Sequence, residues 1–153
     1  SFVKSETPDP IEEIQFHDLL QEIYDNTKVY NKKINLKINK KIKTSGRPLQ
    51  LRRCFVNLIE NAIRYSEKII VELNFDNENI IVDISDNGPG IPKNKYDEVF
   101  KPFFTLDPSR NKLKGESGLG LTISRDIVRS HGGDISLSKS SLGCLKVTVG
   151  LPI

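Results

Sequence analysis

A chain of 153 residues, 37% hydrophobic and 28% charged, has the size and balance of one compact globular domain and is too apolar for an intrinsically disordered segment. No apolar run approaches the roughly 20 residues that span a bilayer, so this stretch of chain reads as one that sits in water. The net charge of +3 is too small to name a partner.

Residues 1–10 are polar, carry Pro8 and Pro10, and read as an N-terminal tail; residues 11–153 read as one domain. Ile14 to Phe16 suits a short edge strand. Leu19, Leu20, Ile23 and Tyr24 recur at helical spacing and predict a helix over 17–30. Ile34, Leu36, Ile38 and Ile42 alternate with Asn and Lys and predict one strand with one buried face. Ser45-Gly46-Arg47-Pro48 reads as a turn, with Pro48 well placed to open a helix that runs to about Tyr65. Two alternating runs, 68–75 and 79–86, flank the hairpin loop Asp76 to Asn79. A short helix follows near Lys93 to Phe100. Residues 101–117 have no clear period and read as a long irregular loop of the kind that forms lids. Gly118 to His131 is helical, with Leu119, Ile123, Ile127 and Val128 inward, and Gly132-Gly133 stops it. Strands at Asp134–Ser138 and Leu145–Leu151 close the chain. The expected fold is an α/β (α+β) two-layer sandwich: a mixed, mostly antiparallel sheet of about five strands with three main helices on one face.

Between Asp25 and Glu60 the sequence has no acidic residue but ten lysines and arginines. This stretch reads as a solvated basic face, or as a docking surface for an acidic partner. Cys54 and Cys144 lie in apolar patterns without metal-ligand spacing and read as free thiols of a reducing compartment.

Four segments carry candidate chemistry. Asn57 and Asn61 are four apart and share one helix face, with Tyr65 continuing the line and Arg64 beside it. An amide oxygen there suits a hard cation such as Mg²⁺ shared with phosphates; the plainer alternative is that both carboxamides cap backbone or face water. Asp86 is in phase with Ile80, Val82 and Ile84, so its carboxylate points inward, which is costly unless something donates hydrogen bonds to it. An adenine amino group is such a donor, and Gly88 and Gly90 let backbone approach a flat ring; an Asx turn is the alternative. The run Gly115 to Leu121 leads into a helix whose free amides attract phosphate, though it matches neither a P-loop nor a Rossmann turn. Phe100, Phe103 and Phe104 suit a hydrophobic hinge before the long loop, whose Arg110, Lys112 and Lys114 are placed to meet phosphate oxygens or water.

Taken in this order, the segments resemble the motif set of sensor histidine kinase ATP-binding domains, within the superfamily that also holds type II topoisomerases, heat-shock ATPase chaperones and mismatch-repair ATPases. Asn57 to Tyr65 resembles the asparagine box, Asp86 to Ile91 the first glycine box, Phe100 to Phe104 the phenylalanine box and Gly118-Leu119-Gly120-Leu121 the second glycine box. Gly143 to Pro152 resembles the closing strand. The resemblance covers about residues 10–153 and implies a Bergerat fold with a flexible ATP lid. It further implies that Asn61 holds Mg²⁺, that Asn57 sits near the phosphates and their water, and that Arg64 and Tyr65 line the phosphate and ribose side. Asp86 would bind the adenine amino group, Gly88, Gly90 and Ile91 would border the base, and Arg110 and Ser117 to Leu121 would meet the phosphates.

The implied cofactors are ATP and Mg²⁺. The implied function is donation of the γ-phosphoryl group to a histidine on a separate dimerisation domain, for onward transfer to a response regulator. That histidine-bearing hairpin is absent from these residues. His17 reads as a helix-start residue and His131 as a residue of a helix's last turn, neither catalytic. Glu116 adds negative charge where the family often has a small residue, and Cys144 stands where it often has glycine. The resemblance implies a monomeric fragment of a homodimeric parent and a cytoplasmic domain whose parent is membrane-anchored; the basic stretch has no aromatic stacking platform or recognised module, so no nucleic-acid partner is expected. A serine-directed kinase of the anti-sigma-factor type and an ATP-sensing docking module are the rival readings.

Overall fold

The computed structural model describes residues 9–27, 33–101 and 120–153. Its described elements run β1 (Glu12–Gln15), α1 (Phe16–Thr27), β2 (Lys33–Ile38), β3 (Lys43–Gly46), α2 (Pro48–Tyr65), β4 (Lys68–Asp76), β5 (Asn79–Asp86), two 3₁₀ turns (Lys93–Lys95 and Glu98–Phe100), α3 (Gly120–Ser130), β6 (Asp134–Ser138) and β7 (Leu145–Pro152).

The main sheet has five strands in the order β2-β4-β5-β7-β6. Its β2–β4 pair is parallel and the other neighbours are antiparallel. Register puts Ile69, Val71 and Leu73 of β4 beside Asp86, Ile84 and Val82 of β5 on one face. Leu145, Val147 and Val149 of β7 extend the same rows. Their apolar members are buried, and they meet the buried stripe of α2 (Leu51, Cys54, Phe55, Leu58, Ile59, Ala62, Ile63) in one core. The expected two-layer sandwich with three helices is therefore present among the described residues. Phe16 and Phe55 meet edge to face with centroids 5.4 Å apart, which fastens α1 to α2.

Helix α2 begins at Pro48, where the missing N–H costs nothing. No side chain of its own flank caps it. The Asp9 carboxylate does so instead, accepting from the backbone N–H of Leu49 at 3.3 Å and Gln50 at 3.0 Å, while the Arg47 guanidinium donates to the Asp9 carbonyl at 2.6 Å. A carboxylate there also suits the positive end of the helix dipole. Helix α3 ends as its glycines require: Gly132 takes φ +84°, and the Gly132 and Gly133 amides donate back to Arg129 and Val128.

Four expectations need correction. The alternation from Ile34 to Ile42 is not one strand: β2 ends at Ile38, and Asn39 donates to Glu72 and Asn74 across the sheet. The chain then leaves for a separate two-stranded sheet, in which β3 pairs with β1. The supposed turn at Ser45-Gly46 is thus the end of a strand, because an alternating pattern does not say which sheet it joins. Phe16 opens α1 instead of closing a strand, and the short helix near residue 93 is two separate 3₁₀ turns.

Both histidines have structural partners. His17 Nδ1 accepts the Ile42 N–H at 3.3 Å. His131 Nε2 accepts the Arg47 N–H at 3.0 Å while its Nδ1 lies 2.8 Å from the Ile127 carbonyl, so the tautomer with hydrogen on Nδ1 satisfies both and joins the end of α3 to the start of α2.

Cys54 is fully buried where α2 crosses α3: the Ser124 hydroxyl donates to the Cys54 carbonyl at 3.0 Å, and the thiol faces the Ser124 carbonyl. Burial pushes its pKa up to about 12. Cys144 is half-buried. The native chain should therefore react with one equivalent of a coloured disulfide reagent, at Cys144, and take up the second only on unfolding. Two fast equivalents would contradict this packing.

Candidate nucleotide site

The site forms where the C-terminal half of α2 meets the end of β5. Asn57 and Asn61 stand one turn apart, half-buried, at the margin of the buried stripe, with half-buried Tyr65 continuing the line and Arg64 exposed beside it. Among the described residues neither asparagine carboxamide has a hydrogen-bond partner, and neither has a sealed-off polar atom. Their oxygens are thus available to a ligand, and the alternative of backbone capping does not hold among those residues.

Asp86 ends β5 with 6% of its surface exposed. Its carboxylate Oδ1 accepts the Gly88 N–H at 2.9 Å. Across the sheet its same-face neighbours are Ile69 and Leu145, neither of which offers a side-chain donor. Burial raises the carboxyl above its ordinary pKa, and the Gly88 N–H draws it partly back. The inward orientation expected from strand phase is present, together with the Asx-type contact to Gly88.

The glycine turn is fastened to the chain just beyond the asparagine helix and lies against that helix's last residue. The Asn87 side-chain oxygen accepts the N–H groups of Glu67 at 3.1 Å and Lys68 at 2.9 Å. A Cβ on Gly88 would fall 2.4 Å from the Tyr65 carbonyl oxygen, so this close approach tolerates only glycine. An open cavity of about 480 Å³ lies here, lined in part by the expected Arg64, Tyr65 and Gly88. Among the described residues Ser66, Glu67, Asn87 and Pro89 also line it, and the motif reading singles out none of them for this purpose. Asn57, Asn61 and Asp86 are not in that lining, so the cavity forms one border of the expected site and does not enclose it. Gly90 (φ +75°) turns the chain past Cys144, and Ile91 packs half-buried on the core.

Gly120 opens α3 and Leu121 packs on the core. Arg110, Ser117, Gly118 and Leu119 lie outside the described residues, as do Phe103, Phe104 and the expected lid. The segment's two flanks meet: the Thr122 hydroxyl donates to the Phe100 carbonyl at 2.5 Å, and the Arg125 guanidinium lies 4.5 Å from the Phe100 ring centroid. Thr122 and Arg125 were legible only as polar positions on a helix.

Among the described residues no three His, Cys, Asp or Glu side chains converge as a metal cage. An Mg²⁺ ion that keeps most of its waters and binds phosphate needs only one or two protein oxygens, so the Asn61 carboxamide fits it. No helix among the described residues is long and apolar enough to cross a membrane.

Residues 46–153 match the family described as histidine kinase-, DNA gyrase B-, and HSP90-like ATPase. Sensor histidine kinase GtrS of Pseudomonas aeruginosa is 39% identical over 108 residues, covering 70% of this chain and 22% of that protein. Sensor histidine kinase CpxA of Escherichia coli is 34% identical over 109 residues, 71% of this chain and 24% of that protein. The chain thus spans about a quarter of the length of these relatives. Among solved structures, the mycobacterial sensor histidine kinase MprB superposes with a TM-score of 0.81 at 23% identity, over 94% of this chain and 97% of that one, which speaks to the fold. The ATP-binding domain of PrrB from Mycobacterium tuberculosis gives 0.77 at 25% identity, over 95% and 98%. With more than half its length matched, the chain belongs to the family of histidine kinase-, DNA gyrase B- and HSP90-like ATPases, and its relatives GtrS and CpxA are sensor histidine kinases.

Proposed function

We propose that this chain is the catalytic domain that supplies ATP to a sensor histidine kinase, passing the γ-phosphoryl group to a histidine on a separate dimerisation domain of the same protein, for onward transfer to a response regulator. The observation that carries the reading is the junction of the inward Asp86 carboxylate with the Asn57–Asn61 helix, joined through the contact of Gly88 with the Tyr65 carbonyl. Asp86 accepts the adenine amino group, and Gly88, Gly90 and Ile91 border the base. Arg64 and Tyr65 face ribose and phosphate, and Arg110 and Ser117 to Leu121 are the residues proposed to meet the phosphates. Asn61 would offer its amide oxygen to Mg²⁺, which would neutralise phosphate charge there, and Asn57 would sit near the phosphates and their water.

In the transfer, a neutral imidazole nitrogen attacks the γ-phosphorus in line, the bond from that phosphorus to the β–γ bridging oxygen breaks, and ADP leaves. Such a step depends on positioning and charge stabilisation more than on covalent help from the protein. The chain is proposed to work as a monomeric unit, on the cytoplasmic side of an anchored, homodimeric parent, without a nucleic-acid partner.

Calorimetric titration tests this. Wild type should bind ATP more tightly with Mg²⁺ than without, and Asn61→Ala should abolish that difference. With an added histidine-bearing helical hairpin, label from γ-³²P-ATP should move to the hairpin. No ATP binding at millimolar concentration, or stoichiometric labelling of His17, would refute the assignment.

A further inference from the structure

Ser140 sits in the turn between β6 and β7, 54 positions from Asp86 in sequence, yet its hydroxyl donates to the Asp86 backbone carbonyl at 3.0 Å. The same oxygen accepts the N–H of Leu142 at 3.0 Å and of Cys144 at 3.4 Å. The turn closes on itself through the Gly143 N–H to the Ser140 carbonyl. The residue is buried, with 7% of its surface exposed. One hydroxyl therefore organises the β6–β7 turn and fastens it to the last residue of β5.

That last residue has little else to hold its carboxylate. Its same-face neighbours Ile69 and Leu145 give no side-chain hydrogen bond, and the Gly88 N–H belongs to the turn that follows it. The direction of the carboxylate is thus set by the main chain at the strand end, which is held by the ladder to β4 and β7 and, from outside the sheet, by the Ser140 hydroxyl. Without the hydroxyl, the Asp86 carbonyl loses the donor that comes from outside the sheet and two turn amides lose an acceptor, which loosens the strand end.

We propose that Ser140 is a positioning residue for Asp86: by holding the Asp86 carbonyl it aims the carboxylate at the 6-amino group of the base and so sets the preference for adenine. The proposal rests on the nucleotide reading above. Its effect is specific to position 6 of the purine, which a merely structural role would not be.

The test compares ATP with inosine triphosphate, whose base carries an oxo group at position 6, by calorimetry on the full chain, with each variant's melting temperature measured first. Ser140→Ala should raise the Kd for ATP about tenfold, a change of about 1.4 kcal/mol, and that for inosine triphosphate by less than about twofold. Ser140→Thr, which keeps the hydroxyl, should recover most of the ATP affinity. In an Asp86→Asn background Ser140→Ala should add almost nothing, since coupled residues are not additive. If the alanine protein does not fold, Ser140→Cys, similar in size and a weak donor, should show the same selective loss. Equal losses on both nucleotides, or additive losses with Asp86→Asn, would overturn the proposal and leave the nucleotide reading standing. An Asp86→Asn protein that binds ATP as wild type does would overturn both.

Discussion

Asp86→Asn is expected to melt higher than wild type without nucleotide at pH 7 to 8, by roughly 2–5 °C, while binding ATP more than about tenfold more weakly. The two effects have one origin. Asp86 is buried, and burial raises its carboxyl above the ordinary value of 3.8. Below that value the group is protonated in both the folded and unfolded chain and ionisation costs no stability. As pH rises through the folded-state midpoint, the folded chain must carry a desolvated charge, and stability is lost. Asparagine keeps the oxygen that accepts the Gly88 N–H and drops the charge. The stability difference between the two proteins should therefore shrink toward zero as pH is lowered to about 4, which thermal melts across pH will read. Binding goes the other way, because a neutral amide is a weaker acceptor for an adenine amino group than a carboxylate. A variant less stable than wild type at neutral pH, or one with unchanged ATP affinity, would contradict this account. The wild-type carboxylate is then a case of stability given up at a binding site for function.

Gly88→Ala should be the most damaging small substitution at the site, with a loss of about 2–3 kcal/mol in urea unfolding and more than a tenfold loss of ATP affinity. The added methyl would lie 2.4 Å from the Tyr65 carbonyl oxygen and 3.1 Å from its carbon, both main-chain atoms that cannot swing aside as a side-chain end could. Relief requires the glycine turn to move away from the end of α2. That movement strains the bonds of Asn87 to Glu67 and Lys68 and separates Asp86 from the asparagine helix. Gly143→Ala is a useful contrast. That glycine has φ +98° and open space around it, so the change strains local backbone without pushing two elements apart. A Gly88→Ala protein with native ATP affinity would show that the contact between turn and helix does not organise the site.

Local periodicity was enough for much of the fold. The three-residue and four-residue spacing from Leu51 to Ala62 places α2, and its Pro48 start and Tyr65 end agree with the structure. Strict alternation places β5 from Asn79 to Asp86 and predicts which way the Asp86 side chain faces. The same arithmetic sets Asn57 and Asn61 on one helix face. Where periodicity is shared by two outcomes it misleads, as between Ile34 and Gly46, where one alternating pattern serves strands of two different sheets.

What the sequence determined by itself was thus the kind and buried side of the longer elements, and the side on which Asn57, Asn61 and Asp86 stand, because those follow from the repeat of a helix or strand over a few residues. The tertiary structure alone decided the strand order with β2 parallel to β4, and the capping of α2 by Asp9. It alone placed the Gly88 backbone on the Tyr65 carbonyl and the Ser140 hydroxyl on the Asp86 carbonyl. Each of these is a contact between residues more than twenty positions apart, with a backbone group on at least one side of it, so no local pattern of side chains could announce it.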